Sequence, residues 1–474
     1  MNTARIRAFF GVQDMTEGSP MAKLAQFSIP LIIGNFAQQM YNTVDSIVVG
    51  NNPNLGLNAL AAVGLANPIL NLMYVVFMGL ATGASIMAAQ YFGAKDRETL
   101  SRTVGTTITL TFLSSLVMMV VGYFATPLLI GLIAPADEPT VGQGATVYLQ
   151  IIFLGILGSA AYNIFSGVLR GVGDSVNPLI YLIVACLLNI VLDIVLVNLL
   201  NDVSAVAWAT IIAQFVSGGL CLWRLTRMRD LFTLDRKVLR PDKKLTKKLV
   251  GLGLPSGITQ GLFSMSAMVV QGLTSAMGTV LVAANNVIMR VDGFAMMPNF
   301  TFSTAATTYV GQNIGAGRGD RVRAGVPAVL KLALGTAAVL VALILIFGSS
   351  LITLFINAGE KNTDALIALG TRGLRWLSLG YIAFAVTASL QGAMRGIGET
   401  RIPMWISIIT TIIIRLPLAY LMAALTRSAD WPNGHPDAIF SSLLISWLIG
   451  MEITVFIYYW GRWRQRIPNL MGNG

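Results

Sequence analysis

The sequence predicts an all-α polytopic membrane protein of twelve transmembrane helices, arranged as two pseudo-symmetric six-helix bundles. Composition, the spacing of apolar runs and an internal repeat carry that prediction. Hydrophobic residues make up 55% of the chain and charged residues 11%, against about 25% charged in a soluble globular protein. Apolar stretches fall near 27–50, 59–91, 104–132, 143–168, 176–200, 203–223, 250–278, 280–313, 325–356, 363–391, 403–424 and 438–460. Each is long enough to cross hydrocarbon as a helix of about 20 residues. Those much longer must tilt or project beyond it.

The loops between these runs give the topology. Of the 32 Lys and Arg, 26 lie in the N-terminal tail, the even-numbered connections and the C-terminal tail. Cytoplasmic loops are enriched in such residues, so both termini are expected in the cytoplasm, with the protein in the cell membrane. Ten of the basic residues lie in the stretch from Arg224 to Lys248, where attraction to anionic lipid headgroups accounts for them. The net charge of +11 therefore belongs to a membrane surface, and no nucleic-acid partner is expected. The N-terminus shows no small-residue cleavage site after a short apolar core, so no secretory leader is expected.

The repeat is the sharpest signal. Gly167-Val-Leu-Arg-Gly-Val-Gly-Asp-Ser-Val-Asn-Pro178 returns as Gly392-Ala-Met-Arg-Gly-Ile-Gly-Glu-Thr-Arg-Ile-Pro403, an offset of 225. Gln90-Tyr-Phe-Gly-Ala94 returns as Gln312-Asn-Ile-Gly-Ala316, and Ile29-Pro30 as Leu254-Pro255. Six spans followed by six more give parallel repeats about an axis normal to the membrane, and substrate sites in such proteins lie between them near the midplane. The expected division is 1–224 for the first lobe, 225–249 for a basic linker and 250–474 for the second lobe.

Function concentrates on charges inside the spans. Asp45 lies in the first run, and an acid at the centre of a spanning helix costs roughly 2.5–3.5 kcal/mol on insertion scales. Gln38, Tyr41 and Asn42 precede it by seven, four and three residues and share its helical face. The competing reading is a structural aspartate capped by a neighbouring helix. Asn189 and Asp193 in the fifth span are one turn apart on one face. With Asp45, and with the Thr210 hydroxyl of the sixth span, they would offer the hard oxygens that a proton or small cation wants. The alternative is an amide–acid hydrogen bond that only joins helices. In the second half, Arg290, Asp292, Arg415 and Glu452 lie within spans. Glu452 is a second proton candidate, with Arg415 as its natural counter-ion by charge. Intramembrane methionines such as Met265 would adapt to varied substrates, or simply pack.

Several chemistries are excluded. The sole histidine, His435, lies in a loop, so no histidine metal cluster or relay is available, and the two cysteines imply no disulfide framework. The Gly-rich stretches at 170–174 and 315–320 do not follow a strand in a βαβ unit, and no Walker A sequence is present. No clustered nucleophile suggests an enzyme.

At the repeated motifs and the intramembrane acids the chain resembles the multidrug and toxic compound extrusion (MATE) family over essentially its whole length. The resemblance implies two helical lobes around a central cavity, and export of amphiphilic, often cationic compounds against inward H+ or Na+. It assigns Asp45, Asn189, Asp193 and Thr210 to a first-lobe cation or proton site that would hold any Na+. Gln38, Tyr41, Asn42, Asn163, Gln260, Met265 and Asp292 become cavity candidates. Another branch couples through acids in spans seven and ten. Here span seven has none, and span ten has only Asp364 at its outer end. Pro30 lacks the N–H that would close its helical turn, so it is the expected gating bend. The transported ion is the only non-protein requirement, and small organic molecules and lipids are the expected partners of a monomer. A lipid-linked oligosaccharide flippase is the alternative within transport, and an integral membrane enzyme or a channel the alternatives outside it.

Overall fold

The structure is a computed structural model that describes residues 11–51, 56–134, 138–356 and 363–461, with the backbone alone at 41–51 and 56–60. The side chains of Asp45, Tyr41 and Asn42 therefore lie outside the described residues. The first half folds as α1 (Pro20–Asn51), α2 (Gly56–Gly93), α3 (Arg97–Ile133), α4 (Pro139–Leu154), α5 (Ile156–Gly171), α6 (Val176–Leu200) and α7 (Ser204–Arg227). The second comprises α8 (Lys243–Ala276), α9 (Thr279–Gly315), α10 (Gly319–Leu354), α11 (Thr363–Ile397), α12 (Arg401–Ile408), α13 (Arg415–Leu425) and α14 (Asp437–Trp460). A π-helical segment, Ile409–Ile414, joins α12 to α13. Among the described residues there is no strand.

Nine stretches of helix are long and apolar enough to cross a membrane among the described residues, and the bent pair α4/α5 supplies a tenth. With α1 and α8, whose Asn, Gln and Ser content makes them less apolar, this is the all-α, twelve-span fold that the composition predicts. The fourth span differs from a plain rod. It turns by 53° at Gly155, where a Cβ would come within 2.3 Å of the Ile211 side chain on α7. Its repeat equivalent, Gly380, lies inside the unbroken α11 with a Cβ position 2.3 Å from Trp447.

The chain forms two compact units. Unit 1 holds residues 1–15 and 29–257, and unit 2 holds 16–28 and 258–474. Both α1 and α8 thus pass from one unit to the other in mid-helix, each within two residues of the prolines Pro30 and Pro255. In unit 1, α2 packs on α3, α4 and α5, and α7 on α5 and α6. In unit 2, α9 packs on α10 and α11, and α14 on α11 and α13.

The repeated motifs make the same contacts twice. A Cβ on Gly167 would lie 2.7 Å from the Ala81 carbonyl, and one on Gly392 would lie 2.3 Å from that of Ser303. Gly171 meets the Ser85 carbonyl at 2.5 Å and Gly396 that of Thr307 at 2.6 Å. Only glycine allows helices this close. The motif then ends its helix with Gly173 (φ 93°) and Gly398 (φ 105°), where the Asp174 and Glu399 N–H groups bond to the Leu169 and Met394 carbonyls at 2.8 and 3.0 Å. The second Gly-rich stretch is likewise a helix end, with Gly317 left-handed (φ 69°) where the first half uses Lys95 (φ 55°). Both are C-caps joining helices, which accounts for glycine without any phosphate.

The stretch expected as a linker over 225–249 is shorter as a loop, because α7 runs to Arg227 and α8 begins at Lys243. Residues 228–242 are held along α3. The Arg97 guanidinium donates to the Arg229 carbonyl at 2.5 Å, Ser101 Oγ accepts from Thr233 N–H at 3.0 Å, and Thr109 Oγ1 donates to the Leu239 carbonyl at 2.5 Å. Gly105 lets the loop backbone pass, since a Cβ there would stand 2.1 Å from the Val238 carbonyl.

Candidate functional site

In unit 1 the side chains of α6 that face α7 carry the polar cluster. Asn189 and Asp193 are each 1% exposed. With the amide oriented to satisfy both neighbours, Asn189 Nδ2 donates to Asp193 Oδ2 at 2.9 Å and Asn189 Oδ1 accepts from the Thr210 N–H at 3.2 Å. The structure therefore brings together three of the four residues expected here. Thr210 contributes its backbone to this contact, where its hydroxyl was expected. The carboxylate sits where burial disfavours charge, so a proton or cation there offsets a real cost. Asp45 falls outside the described side chains, and this geometry does not bear on it.

The remaining first-half candidates are dispersed. Asn163 is half-buried on α5, where its Nδ2 donates to the Ser159 carbonyl at 2.8 Å. Gln38 is half-buried on α1, and Pro30 is buried inside that helix. Gln260 is exposed on α8, and Met265 on the same helix is 61% exposed.

Unit 2 holds a second polar junction. Asp292 Oδ1 accepts from Tyr381 Oη of α11 at 2.8 Å. Arg415 Nη1 donates to Ser266 Oγ of α8 at 3.2 Å, and Ser266 donates in turn to the Thr411 carbonyl at 3.3 Å. The expected pairing of Arg415 with Glu452 is not present. Glu452 is exposed on α14, and the Arg415 guanidinium meets Ser266 instead. Charge alone suggested Glu452; the packing of α13 directs the guanidinium inward instead. Neither Tyr381 nor Ser266 stood out in the sequence, because hydroxyls are common in spans and only the fold selects these two.

Among the described residues no group of three or more His, Cys, Asp or Glu could hold a metal ion. A doubled bundle of long apolar helices with a polar junction in each unit has the construction of a membrane transporter. The MatE family model matches residues 30–195 and 255–421, one segment in each half of the chain. The chain belongs to this family, whose members are transporters rather than enzymes. It is 27% identical to the probable multidrug resistance protein YoeA of Bacillus subtilis over 465 residues, covering 96% of both chains. It is 25% identical to the probable multidrug resistance protein NorM of Thermotoga maritima, covering 94% of this chain and 93% of that one. Solved structures share the fold. One described as "MATE in complex with MaL6" has a TM-score of 0.86 at 23% identity, covering 96% of this chain and 98% of that one. Others described as MATE "in the bent conformation" and "in the straight conformation" score 0.84 and 0.85 at 23% and 22% identity, covering 96% of this chain and 97% and 98% of theirs.

Proposed function

We propose that the chain is a secondary antiporter of the cell membrane, exporting amphiphilic or cationic organic compounds in exchange for H+ or Na+, with both termini cytoplasmic. The single observation that carries the ion-coupling part is the buried Asn189–Asp193 pair against α7. The names of the full-length relatives support the drug-export part.

In the proposed cycle the outward-open protein takes the ion at Asp193 and Asp45, with Asn189 and Thr210 completing the site. Neutralising these carboxylates removes the cost of desolvated charge and lets α1 bend near Pro30, where a helical hydrogen bond is already missing. That bend reshapes the first-lobe cavity and releases the compound. Coupling requires that ion and compound favour opposite states or compete for one site. The ion is cargo; no resident cofactor and no obligate protein partner is proposed.

The intramembrane acids of the first half, Asp45 and Asp193, speak against a flippase site built for pyrophosphate. The decisive experiment is export of a labelled organic cation from proteoliposomes under an imposed pH or Na+ gradient. Wild type should respond to one gradient, and Asp193→Asn and Asp45→Asn should not. Wild-type rates in both variants would refute the assignment.

A further inference from the structure

The sole histidine of the chain stands just ahead of α14, in a connection that its neighbours hold tightly. Gly434 is left-handed (φ 101°), and a Cβ there would lie 2.3 Å from the Ala423 carbonyl of α13. The His435 N–H donates to Thr426 Oγ1 at 3.0 Å, and Asn433 Nδ2 donates to the Ala276 carbonyl at the end of α8 at 2.6 Å. The Trp431 and His435 rings meet edge to face, their centroids 5.3 Å apart. The imidazole is thereby placed over the start of α14. Its Nδ1 accepts from the Asp437 N–H at 3.2 Å, one of the first-turn N–H groups that a helix leaves without an internal partner.

The Asp437 carboxylate is only half satisfied. Its Oδ2 pairs with Arg372 Nη2 of α11 and stands 3.8 Å from His435 Nδ1. Its Oδ1 is buried with no hydrogen-bond partner among the described residues. A buried acceptor without a donor is costly, and more so when it is charged. The nitrogen closest at hand is itself an acceptor while the imidazole is neutral, so it cannot fill the gap. Other charges on the packed elements do not serve either. Asp364 and Arg375 of α11 and Arg427 and Asp430 of the connection are exposed, as is Tyr420 of α13. Arg415 stands at the other end of α13, Glu452 is well along α14, and α8 carries no charge after Lys248. Glu360 and Lys361 lie outside the described residues.

We propose that His435, Asp437 and Arg372 form an acid-responsive clasp at this end of unit 2, which the topology proposed above puts on the outer face of the membrane. An imidazole changes charge between about pH 5 and 8. In the neutral ring Nδ1 caps α14. A proton on Nδ1 ends that role, because the nitrogen becomes a donor, and the acceptor it then faces is the Asp437 carboxylate. Asp437 would then hold a cation from each side and tie α11, the connection and the start of α14 together. The positive end of the α14 dipole opposes a cation in the first turn. A charge-assisted bond, however, is about twice as strong as the neutral cap that it replaces. Acid outside therefore tightens the clasp, and alkali loosens it.

The test follows hydrogen exchange over 434–444 in the full-length protein in lipid nanodiscs, at about pH 5 and about pH 8. Rates are taken relative to the unstructured chain at the same pH. Wild type should be about tenfold better protected in acid. His435→Gln, whose amide oxygen still accepts but takes no proton, should show no such gain. Asp437→Asn should lose it too, since the ring then faces a neutral amide. Arg372→Gln should enlarge it, because the carboxylate is left to His435 alone. A gain in His435→Gln equal to that of wild type overturns the proposal, whether or not Asp437→Asn folds. Loss of the gain in Arg372→Gln overturns it as well. None of these readings depends on ion-driven export, so failure of the antiport reading would leave them intact.

Discussion

Asn189 and Asp193 stand one turn apart on α6, and the amide gives an N–H to the carboxylate at 2.9 Å while its oxygen faces α7. A hydrogen bond of this kind in a bilayer contributes about 0.6 kcal/mol on average. Asp193→Asn should therefore fold with little change in thermal stability, yet lose ion-driven export on the order of tenfold or more, the scale of a coupling free energy. Detergent melting curves and gradient-driven flux, measured on the same preparation, separate the two effects.

Asp174 is fully buried at the turn between α5 and α6, where Arg224 Nε meets it at 3.0 Å and Asn177 Nδ2 at 2.9 Å. Arg224→Ala leaves that carboxylate with the amide as its principal remaining side-chain partner. Breaking a buried pair from one side costs about 3–5 kcal/mol, and the partial exposure of Arg224 places this case at the lower end. The double variant Asp174→Asn, Arg224→Ala should be more stable than Arg224→Ala alone, which chemical denaturation would show.

Gly392 admits the Ser303 carbonyl where a Cβ would lie 2.3 Å away. Gly392→Ala should destabilise unit 2 by about 1–3 kcal/mol, the usual range for overpacking. Gly335 in α10 has nothing within 4 Å of its Cβ position. Gly335→Ala should gain up to about 1 kcal/mol from helix propensity. Opposite shifts in melting temperature would confirm the contrast.

Asp96 caps α3 by accepting from the Thr99 N–H at 3.0 Å, and the bonds from Thr99 hold its carboxyl below the usual carboxylate range. A lowered folded-state value means that the stabilisation is present above the ordinary range and is lost as pH falls through the folded value. Asp96→Ala should cost about 1 kcal/mol near neutral pH. The gap to wild type should close in acid, as measured by melting at a series of pH values.

Much of this was legible in the sequence for a physical reason: hydrocarbon forces long apolar helices, and a glycine seam used twice leaves the same letters twice. The Gly167 and Gly392 motifs mark the same close helix approach in each half of the chain, and the one-turn spacing of Asn189 and Asp193 gave their contact. The Gly155 bend was not legible, because Gly380 occupies the same repeat position in a straight helix and only the neighbours, Ile211 or Trp447, differ. The partner of Arg415 was misjudged because charge says only what attracts, whereas the backbone ahead of it, π-helical over Ile409–Ile414, carries the guanidinium to Ser266.

Gly105→Val would push a side chain into the Val238 carbonyl. The 228–242 loop should then lift from α3 and become open to trypsin at Arg236, Lys237 and Arg240. Faster cleavage with transport otherwise intact is the expected result, read by timed digestion of reconstituted protein.

That docked loop changes what the connection between the repeats is. The chain stays with unit 1 through the loop and on to Gly257, and passes into unit 2 only inside α8, as it returns from unit 2 inside α1 between Ser28 and Ile29. The loop is therefore a seam in the gene rather than a joint in the machine. Two fragments expressed separately and divided within 228–242 should still assemble into a working transporter, whereas a few residues inserted near Pro30 or Pro255 would uncouple it.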